Sequence, residues 1–119
     1  MAGKPIMIAH NIVKAMNSSF GTHVVINMTQ FYDGDNKLAK VYHVKDIYRM
    51  NGTMDFVDHE LFRSSSGVYI CLFVRDLLYA LQGKEIPHEE NEGYNAVRAK
   101  RDADSGIKYM LDMYRREDL

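Results

Sequence analysis

The feature that most constrains the fold is a pair of alternating segments joined by one tight turn. In residues 22–32, aliphatic side chains fall on every second position, which is the period of a β-strand with one buried face. Residues 37–45 alternate in the same way, and Asp33-Gly34-Asp35-Asn36 lies between the two segments. Gly and Asn tolerate the backbone angles of tight turns. The pattern therefore predicts an antiparallel hairpin over residues 22–45.

A second turn signal, Asn51-Gly52, precedes a segment whose pattern fits two structures. In residues 53–62 the apolar positions match a helix about as well as a strand. The turn favours a strand, so we expect residues 53–62 to add a further strand to a small antiparallel sheet.

Two helices are predicted before and after this sheet. Residues 5–17 carry apolar side chains at helical spacing, Pro5 suits a first helical turn, and Gly21 suits a helix end. Residues 66–82 form the most apolar segment and predict a buried central helix between Ser66 and Gly83. The alternative for this segment is a strand as far as Val74, followed by a short helix.

The C-terminal segment predicts a long helix over residues 92–117, with Asp104-Ser105-Gly106 as the point where it would break. Its middle is polar, so we expect it to face solvent or a partner.

A small sheet leaves open edges that need cover. The expected architecture is one α+β domain over residues 1–119, forming a homodimer through the C-terminal helix.

Composition excludes several classes of function. The chain has 119 residues and a net charge of -1, from 15 Lys and Arg against 16 Asp and Glu, so it lacks the basic excess of a dedicated nucleic-acid binder. Cys71 is the only cysteine, which rules out an intrachain disulfide. The longest apolar run, Val68 to Val74, is too short to span a membrane. We expect a cytoplasmic protein without a membrane segment.

No catalytic arrangement can be assembled from the sequence. The five histidines are dispersed, and no Ser-His-Asp or Cys-His pattern is present. Three carboxylates and His59 lie within residues 55–60, and with His43 they could form a metal site, but the spacing found in helical zinc sites is missing. We therefore expect no enzyme activity, no metal and no cofactor.

One group of residues suggests an anion site. Arg63, Ser64, Ser65 and Ser66 precede the central helix, whose free N–H groups could bind a phosphate, and Arg75 could grip the same anion. The alternatives are simple capping by the serines and a structural ion pair between Arg75 and its neighbour Asp76. This group supports the second hypothesis for function, the binding of a nucleotide or another phosphate-bearing ligand.

The first hypothesis for function is non-catalytic binding of a protein partner, as an adaptor or inhibitor. Small single-domain chains without catalytic signatures are typical of accessory proteins of phages, mobile elements and bacteria. The candidate contacts combine aromatic and arginine side chains, which are enriched at interfaces. They are Tyr42, Tyr48, Tyr94, Arg98 and Arg101. A weak nucleic-acid contact through the basic residues 98–101 is a third and disfavoured hypothesis.

Overall fold

The computed structural model describes residues 4–49, 52, 54–99 and 102–114. Within that part of the chain, four helices and three strands follow one another. They are α1 (Pro5–Phe20), β1 (Val24–Tyr32), β2 (Leu38–Arg49), β3 (Phe56–Ser64), α2 (Gly67–Leu81), α3 (Glu92–Ala99) and α4 (Asp102–Tyr114).

The strands form one antiparallel sheet in the order β1-β2-β3. The predicted hairpin is confirmed: Asn36 takes a left-handed φ of 58°, and the Asp33 carboxylate accepts hydrogen bonds from the N–H groups of Asp35 and Lys37. The strand predicted over residues 53–62 is also confirmed, as β3. Strand β2 extends past the predicted end to Arg49, which brings Asp46 into the sheet.

Strand β3 carries a bulge opposite the middle of β2. Val44 faces Phe62, whereas Lys45 faces Glu60, so Leu61 is the extra residue between the two pairs. A bulge of this kind reverses the alternation of side chains along its strand. The bulge therefore decides which side chains of β3 face the helices, a choice that sequence alternation alone does not define.

The first two helices agree with the predictions. Gly21 ends α1 with a left-handed φ of 67°. Ser66 caps α2, because its hydroxyl accepts a hydrogen bond from the N–H of Tyr69 at 3.2 Å. Residues 68–74 lie within α2, so the alternative of a strand in this segment is wrong.

The C-terminal segment differs from the prediction. The structure describes two helices, α3 and α4, on either side of residues 100 and 101, and the predicted break at residues 104–106 lies inside α4. Position 106 requires glycine because α4 crosses β3 there, and a Cβ atom would overlap the Leu61 backbone. Lys100 and Arg101, between the two helices, lie outside the described residues.

The core lies between the helices and one face of the sheet. It joins residues of all the described elements, including Met16 from α1, Val44 from β2, Phe73 from α2, Tyr94 from α3 and Met110 from α4. The α+β class is thus confirmed. Helix α4 buries its apolar face against α2 and β3 of the same chain, and a homodimer through the C-terminal helix stays a prediction. None of the described helices is long and apolar enough to cross a bilayer.

Candidate functional site

One face of the sheet points away from the helices, and we call it the open face. Tyr42, Val44 and Phe62 lie on the opposite, buried face, so the alternate positions of the strands form the open face. Its side chains come from β1, β2 and β3 and are Val25, Asn27, Thr29, Phe31, Ala39, Val41, His43, Lys45, Ile47, Arg49, Phe56, Asp58, Glu60 and Arg63.

The open face is more apolar than a solvated sheet face usually is. Antiparallel sheets covered on one side normally carry polar residues on the other. On this face Val25, Val41 and Ile47 are half-buried, and the rings of Phe31 and Phe56 are 43% and 60% exposed. These positions provide contact area for another surface.

A connected polar group lies among these apolar side chains. His43 Nδ1 is 2.5 Å from Glu60 Oε1, and Arg63 Nε donates a hydrogen bond to Glu60 Oε2 at 2.8 Å. The Thr29 hydroxyl extends the network to His43 Nε2 at 3.2 Å. Burial acts to raise the pKa of Glu60, but the hydrogen bonds from His43 and Arg63 outweigh it and lower that pKa. Glu60 is therefore held as a carboxylate between the His43 ring and the Arg63 guanidinium.

Of the two remaining cations on the open face, one is paired with a carboxylate and the other lies against an aromatic ring. Lys45 Nζ lies 3.3 Å from Asp58 Oδ1, and the Arg49 guanidinium lies 5.5 Å from the centre of the Phe56 ring. Positive and negative groups are therefore nearly balanced across this face. Among the described residues, no three His, Cys, Asp or Glu side chains are grouped so that they could hold a metal ion.

The structure does not bring the predicted anion-binding residues together. Arg63 belongs to the open face, where it pairs with Glu60, while Arg75 lies on α2. The Ser66 hydroxyl caps α2, and the Ser64 hydroxyl accepts a hydrogen bond from the N–H of Ser66 at 3.0 Å. These contacts correspond to the capping alternative for Ser64 and Ser66, whereas Ser65 is exposed.

Arg75 forms the intrachain ion pair that was the alternative to anion binding. Its guanidinium donates to Asp76 Oδ1 at 2.9 Å and to Glu89 Oε2 at 2.9 Å. Asp76 is fully buried, and its other oxygen accepts a hydrogen bond from the Tyr94 hydroxyl at 2.7 Å. Arg98 NH1 lies 3.7 Å from the same oxygen. Residues predicted for two separate sites, Arg75, Tyr94 and Arg98, thus meet around one carboxylate.

The predicted partner-binding residues need correction. Tyr94 is fully buried and Tyr42 is 8% exposed, so in this conformation neither ring can contact another protein. Tyr48 is half-buried with its ring 5.3 Å from that of His23, and Arg98 is held against Asp76. Arg101 lies outside the described residues. The periodicity of a strand or helix shows which side chains share a face, but not which face the rest of the chain covers.

A buried polar cluster around Asp46 was missed by sequence reasoning. Asp46 is fully buried and accepts hydrogen bonds from the hydroxyls of Tyr114 at 2.8 Å and Tyr109 at 3.2 Å. The ring of His59 stacks on Tyr109, and His23 Nδ1 lies 3.2 Å from the Tyr114 hydroxyl. The sequence left open whether residues 46–50 extend the second strand or leave it, so the inward position of Asp46 was not predicted.

A pocket of about 310 Å³ lies where α1 and α2 begin. Lys4 and Lys40 line it together with Ser65, Ser66 and Gly67. Two of the predicted anion-binding serines thus share a cavity with two lysines, and Lys40 also lies 5.4 Å from the Tyr42 ring centre.

Comparisons of the chain with protein-family models, with curated proteins and with solved structures find no match, so the interpretation of these sites depends on their own chemistry.

Proposed function

We propose that this chain is a small, non-catalytic, cytoplasmic binding domain whose open face recognises a protein partner. The observation that carries the proposal is the mixed character of that face. Aliphatic and aromatic side chains at Val25, Val41, Ile47 and Phe31 surround a polar network that is already formed without a partner. Interfaces with a partly apolar centre and paired polar groups have this composition.

The charge balance favours a protein over a nucleic acid as the partner. A nucleic-acid surface needs cations that are free to neutralise phosphates. On the open face Lys45 is paired with Asp58 and Arg63 with Glu60. The paired carboxylates would repel a phosphate backbone, whereas a protein surface of mixed charge could extend the same network.

Burial argues against an acid–base role for two of the polar clusters. The two clusters that combine carboxylates with tyrosine hydroxyls are centred on Asp46 and Asp76, and both carboxylates have no exposed surface. A general acid or base must come within hydrogen-bonding distance of its substrate. Binding that blocks or bridges a larger protein, as an adaptor or inhibitor, needs no such group.

Photo-cross-linking tests this proposal. We would place a photoreactive amino acid at Val41, in the centre of the open face, and a matched one at Met7, which is 59% exposed on α1. One protein captured through position 41 and not through position 7 would then be purified. We expect Val41→Asp to weaken its binding at least tenfold, about 1.4 kcal/mol, and Met7→Asp to leave binding unchanged. Absence of saturable binding, or equal loss in both variants, would refute the open face as the site.

A second function, anion binding, is favoured by one observation, the pocket between α1 and α2. Lys4 and Lys40 could both reach a phosphate there, next to the start of α2. In a thermal-shift screen of nucleotides and inorganic phosphate, we expect any stabilisation to be lost in Lys40→Met and kept in Lys84→Met, since Lys84 lies in the exposed connector after α2. A flat response across the screen would remove this function.

A further inference from the structure

The two edges of the sheet are protected to very different degrees. β3 carries Asp58, Glu60 and Arg63, has a bulge at Leu61, and is crossed by α4 at that residue. Charges, bulges and covering elements are the usual devices that stop an edge strand from pairing with another chain. By these criteria β3 is a closed edge.

β1 lacks the charges and the bulge that protect β3. Its nine residues, Val24–Tyr32, include no charged residue, no proline and no glycine, and its pairing with β2 has no bulge. Met28 and Tyr32 are 50% and 71% exposed. A long, uncharged and regular edge strand is a template for strand addition unless something covers it.

The hydrogen bonds of the hairpin show which backbone groups of β1 point outward. The N–H of Ile47 donates to the carbonyl of His23, and that of Asp33 donates to the carbonyl of Lys37, so the odd-numbered residues of β1 bond to β2. The even-numbered residues therefore direct their N–H and C=O groups away from the sheet.

One of these outward positions is already satisfied. The Asn17 side chain donates to the carbonyl of Val24 at 2.9 Å and accepts from its N–H at 3.0 Å. The outward groups of Ile26, Met28, Gln30 and Tyr32 have no partner among the described residues. This free stretch is centred on Thr29.

We propose that β1 pairs with β1 of a second copy of this chain, antiparallel and about a two-fold axis at Thr29, giving one continuous six-stranded sheet. In this register Ile26 faces Tyr32 of the second copy and Met28 faces Gln30, so all the free outward groups of both strands are used. Two-fold pairing places a strand opposite itself, and a strand without charge does so with no like-charge repulsion. The exposed Tyr32 ring would be covered near α1 of the second copy.

This interface is separate from the proposed function. It uses the edge of the sheet, whereas the partner is proposed to bind the open face. It also replaces the C-terminal helix as the dimer contact, because α4 is already packed within its own chain.

Light scattering and sedimentation of matched variants test the dimer. Met28→Lys would place two lysines near the two-fold axis, and we expect the dimer dissociation constant to rise at least tenfold. Met7→Lys makes the same exchange at a similarly exposed methionine on α1 and should leave the dimer intact. Circular dichroism would verify that both variants fold. A wild-type chain that is monomeric up to about 100 μM, or a dimer that Met28→Lys does not weaken, would overturn the proposal. If the wild type is monomeric but captures a foreign strand that Met28→Lys rejects, the occupant of the edge is not a second copy.

A cysteine scan tests the register. In a Cys71→Ala background, Thr29→Cys would bring two thiols together in a non-hydrogen-bonded pair, with Cα atoms about 4.5 Å apart, which a disulfide can bridge. Asn27→Cys lies on the same face but would oppose Phe31 of the second copy. We expect rapid intermolecular cross-linking at position 29 and at least tenfold slower cross-linking at position 27. Equal rates would overturn the register.

Discussion

Two fully buried aspartates show how the surroundings of a single residue determine its role. Asp76 is balanced by the guanidinium of Arg75 and by the Tyr94 hydroxyl. Asp46 accepts its two hydrogen bonds from neutral tyrosine hydroxyls, those of Tyr109 and Tyr114. Burial of a charge is costly unless it is paired, so ionised Asp46 is held at a higher cost than ionised Asp76.

The first prediction concerns Asp46 and pH. Burial raises the pKa of Asp46 above its ordinary value of 3.8, although the hydrogen bonds from Tyr114 and Tyr109 and the charges of His23 and His59 act against it. Because the folded state holds this proton more tightly, the stabilisation from Asp46 is full below pH 3.8 and is lost as pH rises through the folded-state pKa. Asp46→Asn should therefore become more stable relative to wild type between pH 4 and pH 7, by about 1.4 kcal/mol for each unit of pKa shift.

Urea unfolding at several pH values, at one fixed protein concentration, measures this difference. Asp58→Asn is the matched control, because its exposed ion pair with Lys45 contributes at most about 1 kcal/mol. A difference between Asp46→Asn and wild type that stays constant or falls with rising pH would contradict the assignment of the shift to burial.

The second prediction concerns the hydroxyl of Tyr94. Tyr94→Phe keeps the buried ring, which packs at 6.0 Å from Tyr69 and 6.3 Å from Phe62, but removes the hydrogen bond to Asp76. Leaving a buried carboxylate oxygen short of a donor should cost about 1–3 kcal/mol of unfolding free energy. Tyr32→Phe, at an exposed ring, should cost less than about 0.5 kcal/mol in the same urea titration. Equal effects of the two changes would show that the hydroxyl contributes nothing.

At the scale of elements, the sequence predicted the turns and helix ends that depend on neighbouring residues. The hairpin turn, the Gly21 end of α1 and the Ser66 cap of α2 each depend on residues next to one another in sequence. The predicted break at residues 104–106 is wrong because Gly106 lies where α4 crosses β3, a contact between residues more than forty positions apart in sequence. The candidate site was partly hidden for the same reason, because the bulge at Leu61 decides which side chains of β3 join the open face.

The third prediction tests that crossing. Alanine normally stabilises a helix relative to glycine by about 1 kcal/mol. At Gly106 a Cβ atom would lie only 3.0 Å from the Leu61 carbonyl carbon and would overlap its oxygen, and this backbone is fixed in β3. Gly106→Ala should therefore destabilise the protein by about 1–3 kcal/mol, whereas Ser105→Ala, at the exposed neighbouring position, should be neutral or slightly stabilising. Thermal unfolding compares them; a Gly106→Ala chain as stable as Ser105→Ala would mean that α4 does not cross β3 this closely.

At the scale of the whole molecule, one core joins all the elements, and the sheet uses only one face for it. The helices bury Val44 and Phe62 from one side, while the open face and the β1 edge remain for other molecules. The buried face of the sheet thus contributes to stability, and the open face on its other side is the proposed binding surface. Substitutions on the two sides should accordingly affect different properties.

A pair of phenylalanines tests this separation. Phe73 is fully buried and stacks on Phe62 with ring centres 4.8 Å apart, so Phe73→Ala should cost about 3–5 kcal/mol. Phe56 belongs to the open face, and Phe56→Ala should cost less than about 1 kcal/mol, mainly through its contact with Arg49. Because one core links helices and sheet, tyrosine fluorescence and far-ultraviolet circular dichroism should report the same midpoint in each variant. Two separate transitions, or a large loss of stability in Phe56→Ala, would show that the open face contributes to folding and is not free to serve binding alone.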